Sequence, residues 1–182
     1  MKNDTAKRGY EIGFEFEKNY HGCAQCVIGA LYEVYPEIRN PDVFRSASGL
    51  AGGTGLSTKG QCGALAGAVM VLSQLYGRDL ENIIDLEKKR YVAYGLADTM
   101  VQKFLEEYGT IICGEIQTKL MGRPFFLLDP AQFEEFEKAG GHSEKCPSVV
   151  GNATQWAIEI LEKQKKDSCH VTHLMSGKGV DV

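Results

Sequence analysis

Residues 62–76 read CGALAGAVMVLSQLY, from Cys62 to Tyr76. The run is almost wholly apolar and stays so round every face of a 3.6-residue period, which predicts a helix buried on most sides and central to the core. Gly77 stops it. The stretch is shorter than the roughly 20 apolar residues that a membrane span requires. It is therefore read as the middle of a water-soluble helical domain, and membrane insertion is not expected.

Working outward, the same period continues in both directions and no strand-length alternation of apolar and polar residues interrupts it. Residues 6–18 predict a helix with Tyr10, Phe14 and Lys18 on one side, and residues 23–35 a second one closed by Pro36. Asn40 followed by Pro41 is a capped start for a short third helix ending near Gly49. Residues 79–108 predict one long or slightly broken amphipathic helix, with Gly95 as the place for a kink. A shorter one covers 112–121 and is closed by Gly122 and Pro124, and Asp129-Pro130 opens a charged helix through Lys138. Gly140-Gly141 then breaks the chain before a last helix, 147–164. The expected fold is an all-α, single-domain orthogonal bundle of about six to eight helices around 62–76. It occupies residues 1–165, with 166–182 as a C-terminal tail.

The chain holds 24 acidic against 20 basic residues, a formal charge of −4, with no long run of one sign. Its basic clusters, Lys88-Lys89-Arg90 and Lys163 with Lys165-Lys166, lack interleaved aromatics that could stack on bases, so no nucleic acid partner is expected. The first eighteen residues show no secretory pattern. A cytoplasmic protein follows as the expectation, and in that compartment cysteines more often serve metal or redox chemistry than disulfide frameworks.

Cys23, Cys62, Cys113 and Cys146 share one context: each falls at a predicted helix start. Cys23 follows His21-Gly22, Cys62 follows a glycine-rich loop, Cys113 follows Tyr108-Gly109-Thr110, and Cys146 precedes Pro147. Helix starts offer unpaired N–H groups and partial positive charge, which favours thiolate over thiol. Four such sulfurs suit a metal site or a redox pair, although gaps of 39, 51 and 33 residues match no compact zinc or ferredoxin run, so any joint site must be assembled by the fold. The loop GLAGGTGLSTKG, Gly49 to Gly60, lacks a P-loop ending. Its glycines would instead let backbone amides approach sulfur closely. Cys26 completes a CxxC with Cys23, the signature of a dithiol couple. Beside these stand His21, His142 and a Cys169-His170-x-x-His173 tail, for which incidental placement is the plainer expectation.

These residues carry a resemblance. The Cys62-Gly63-Ala64-Leu65-Ala66-Gly67 motif, CGAxxG, set among separated cysteines, resembles the redox-active C_GCAxxG_C_C family, as do Cys23-Ala24-Gln25, Tyr108-Gly109 ahead of Cys113, and Cys146-Pro147 opening the last helix. The likeness covers about residues 7–165. It implies redox activity, with the family's four cysteines matching Cys23, Cys62, Cys113 and Cys146, and it implies an iron–sulfur centre of the [2Fe–2S] kind held by them. Cys26 and the Cys169/His170/His173 tail are additions to that pattern. The expected function is therefore electron transfer through a cluster, with a redox partner protein and an oxidoreductase role open. A thiol-disulfide oxidoreductase using Cys23 and Cys26, and a zinc-stabilised helical interaction module with no redox cofactor, remain alternatives. A homodimer is compatible with so apolar a helical chain.

Overall fold

A computed structural model describes the backbone of residues 2–176 and the side chains of residues 4–167. Eight α-helices run in the order α1 Lys2–Tyr20, α2 Cys23–Val34, α3 Pro41–Ser46, α4 Gly63–Tyr76, α5 Lys89–Tyr108, α6 Cys113–Met121, α7 Pro130–Lys138 and α8 Cys146–Ser176. Among the described residues there is no strand, only an isolated antiparallel bridge between Gln61 and Ile112. The all-helical expectation therefore stands.

The stretch that suggested the fold class is the core helix. Ala64, Leu65, Ala68, Val71 and Leu72 of α4 are wholly buried, against Ala24, Val27, Ile28 and Leu31 of α2 and against α5 and α8. Burial of this apolar surface, at about 25 cal/mol per Å², is what drives the elements together. Gly67 lies against the Ala24 carbonyl with no room for a Cβ, so the two helices meet backbone to backbone.

The N-terminal helix turns its small residues inward. Ala6, Gly9, Gly13 and Glu17 face inward, while Tyr10 and Phe14 are only partly covered and Lys18 is exposed. Small residues win because α8 packs so close: a Cβ at Gly13 would stand 2.5 Å from Thr154 Oγ1. The Tyr10 ring fits beside α8 only because that helix presents Gly151 to it, with no room for a Cβ.

Asn40 caps α3 as expected and Asp129 caps the helix expected to open there, their side chains accepting from the N–H groups of Asp42 and Val43, and of Ala131 and Gln132. Two helix limits differ. The expected helix over 79–108 begins only at Lys89, because the buried Asp85 carboxylate accepts from the N–H groups of Lys89 and Arg90 and pairs with the Arg90 guanidinium at 3.0 Å, fixing a start there. Gly95 lies inside this helix and does not break it. The last helix is longer than 147–164: a π-helical turn over Gly141–Lys145 leads straight into α8, which reaches Ser176. The side chains of Cys169, His170 and His173 lie outside the described residues.

Candidate functional site

All four helix-start cysteines line one cavity. Cys23 is the first residue of α2, Cys62 the residue before α4, Cys113 the first of α6 and Cys146 the first of α8, and the cavity lies between these starts. Its wall is mainly apolar, with Leu56, Leu120, Leu127 and Phe136 prominent, and neither lysine nor arginine lines it. Cys62 and Cys113 are buried, whereas Cys23 and Cys146 are partly exposed.

Local hydrogen bonding explains the convergence. The Gln61–Ile112 bridge is flanked by bonds from Cys62 N to Ile111 O at 2.8 Å and from Cys113 N to Gly60 O at 3.0 Å, so two loops distant in sequence are laced together just where each enters its helix. Gly63 then abuts the Cys23 sulfur so tightly that a Cβ could not be accommodated, which sets α2 beside α4. Both glycines of the CGAxxG motif, Gly63 and Gly67, are accordingly contact points with the start of α2.

The glycine-rich loop delivers one amide to sulfur, and the first turns of α2 and α4 deliver three more. Backbone N–H groups of Gly52 and Ala24 point at the Cys23 sulfur, and those of Ala64 and Leu65 at the Cys62 sulfur. The loop can do so because Gly52, Gly53, Thr54, Gly55 and Leu56 all have positive φ, a left-handed run. At Gly53, where φ is 71°, a side chain would also meet Cβ of Cys113 at 2.8 Å.

The charge state differs from the expected one. Burial pushes every one of these thiols up, Cys62 and Cys113 to about 12 and Cys23 and Cys146 well above the usual range, with mutual repulsion among the sulfurs adding to it. Helix-start amides pull the other way at Cys23 and Cys62, but the cost of removing a thiolate from water exceeds them. The metal-free cavity therefore holds neutral thiols. Among the described residues no group of three or more histidine, cysteine, aspartate or glutamate side chains is arranged to hold a metal ion. The sulfurs share a cavity without closing on one point.

Two polar side chains in the cavity were not evident from the sequence. Glu17, 2 % exposed, has one carboxylate oxygen with no hydrogen-bond partner, and burial raises its pKa to about 8. Gln117, also buried, points its amide nitrogen at the Cys113 sulfur. A lone acid in register with Ala6, Gly9 and Gly13 was the signal available for Glu17. His142 lines the cavity too: it bonds Glu137 through Nδ1, lies 4.0 Å from Glu17 and stacks on His21 with ring centroids 3.8 Å apart. Burial, aided by His21, holds His142 below its ordinary pKa against the pull of Glu137. His21 itself is exposed. Cys26 is not part of the cavity lining: its thiol donates to the His21 carbonyl at 3.1 Å and lies beside the Glu17 carboxyl.

A family model described as "Putative redox-active protein (C_GCAxxG_C_C)" matches residues 21–160. The chain belongs to this family. No curated protein and no solved structure matches it. The C_GCAxxG_C_C match spans all four cavity cysteines and Cys26, and leaves Glu17 outside. No helix among the described residues is long and apolar enough to cross a membrane.

Proposed function

We propose that this member of a redox-active family carries electrons on a [2Fe–2S] cluster held by Cys23, Cys62, Cys113 and Cys146. The observation that carries the reading is that four thiols from four separate helix starts line one apolar cavity, with backbone N–H groups already aimed at two of the sulfurs. The donor set fits the group: soft sulfur ligands, amide donors, and a low-dielectric wall. Four neutral thiols repel less than four thiolates, and binding iron would release their protons. The cluster would supply one-electron chemistry. The chain's own part is to hold four sulfurs in place, shield them from bulk water and offer N–H donors that offset negative charge where no lysine or arginine stands. Electrons would pass to a partner redox protein.

Anaerobic reconstitution with ferrous iron and sulfide tests this. The expected product contains iron and acid-labile sulfide in equal amounts and absorbs in the visible range. Zinc binding with no uptake of iron and sulfide would favour the zinc-stabilised module, and uptake of neither metal, with a reversible Cys23–Cys26 disulfide, would favour thiol-disulfide exchange.

A further inference from the structure

Gln117 is 3 % exposed and sits one helical turn after Cys113 on α6, against the cavity. Its orientation is fixed from outside the helix. The Oε1 atom accepts the Phe125 N–H at 2.8 Å, so the amide nitrogen must occupy the other end, where it faces Cys113 Sγ at 3.9 Å. The usual ambiguity between the two ends of a glutamine is thereby resolved by a backbone donor.

Buried amide donors are nearly always paired, yet the partner supplied here is sulfur. A neutral thiol is a weak acceptor, whereas a charged sulfur accepts strongly. The donor is poorly rewarded while Cys113 remains a thiol and well rewarded once that sulfur carries charge.

We propose that Gln117 is a positioning residue for the redox centre, donating its side-chain N–H to Cys113 Sγ and so stabilising the anionic, ligated form of that sulfur. The cluster half of this rests on the function proposed above; the effect on Cys113 itself does not. The competing role is a mechanical one, in which Gln117 merely braces the turn before Phe125.

The two roles predict opposite signs in the reduced, metal-free full chain. With Q117L, residue-resolved alkylation by iodoacetamide at fixed pH should slow at Cys113 by about tenfold or more, the size of effect that loss of one hydrogen bond to a charged group produces, while Cys62 changes by less than about twofold. Unchanged alkylation at Cys113 overturns the proposal, as does a faster rate, which a loosened brace would cause at every cavity thiol. A measurement on the unaltered protein guards against misfolding of the variant. In protein with ¹⁵N-labelled glutamine, adding cadmium should move one side-chain amide proton of Gln117 downfield and slow its exchange. An unmoved resonance with cadmium bound, as read from the cadmium–thiolate absorbance, overturns the proposal. If reconstitution and cadmium binding both fail, the cluster reading falls and the alkylation result alone decides Gln117. In the loaded protein, Q117L should lower the midpoint potential, because hydrogen bonds to ligand sulfur favour the reduced cluster.

Discussion

Gly63 of the CGAxxG motif presses directly on the sulfur of Cys23, leaving no space for a Cβ. The motif thus contributes a cysteine ligand candidate and also the vacancy beside it that lets a second cysteine approach. G63A should push the Cys23 sulfur away from Cys62, costing about 1–3 kcal/mol of stability as an overpacked contact. Iron uptake on reconstitution should fall with it. Chemical denaturation and iron analysis check the two effects separately; unchanged iron uptake with the expected stability loss would detach the glycine from the site.

The seam between α1 and α8 should respond similarly but without touching the cysteines. G13A places a methyl group 2.5 Å from Thr154 Oγ1 and 3.1 Å from the Val150 carbonyl, and should destabilise by about 1–3 kcal/mol. T154A in the same chain removes the atom struck and should restore part of the loss, since contacting sites couple. A double-mutant cycle from denaturation midpoints measures this.

Much of this architecture was legible in the sequence, for local reasons. Asn40 and Asp129 announce their helices because a cap acts within three residues, and residues 62–76 announce the core because they are apolar on every face. The four cavity cysteines were legible because helix-start signals stand beside each one. What failed to be legible depended on tertiary enclosure. The inward face of α1 was decided by how near α8 comes, the start of α5 by burial of Asp85, and the neutral state of the thiols by desolvation that no linear spacing records. Gln117 was hidden for the same reason, as its partner Phe125 lies eight residues on, past a helix end.

Cysteine substitutions should divide cleanly. C23S, C62S, C113S and C146S each remove a cavity sulfur and should abolish or severely reduce iron and sulfide uptake. C26S should leave uptake within about twofold of the unaltered chain, because its thiol donates to the His21 carbonyl, a bond that a serine hydroxyl can reproduce. Loss of uptake in C26S equal to the other four would bring Cys26 into the ligand set.

Glu17 makes the metal-free protein's stability fall as pH rises. Its carboxyl shifts from the ordinary 4.5 to about 8 in the folded chain because burial penalises the charged form. Between those values the folded state holds a proton that the unfolded state has lost, so each rise of one pH unit costs about 1.4 kcal/mol from this group. Below about 4.5 both states are protonated, and above about 8 both are ionised, so the slope is confined to that window. Of the other groups facing Glu17, the thiols of Cys23, Cys26, Cys62, Cys113 and Cys146 stay neutral through this window. His142, held below its ordinary 6.5, opposes the slope below that value because the unfolded chain there binds a proton that the folded chain does not. This opposing part is common to both proteins when Glu17 variants are compared. E17Q mimics the protonated acid and carries no charge at any pH. It should therefore match the unaltered protein near pH 4, and exceed it in denaturation free energy by a margin that grows up to about pH 8. Parallel pH profiles for the two proteins would mean that Glu17 is ionised at neutral pH and that its orphaned oxygen finds a partner in solution.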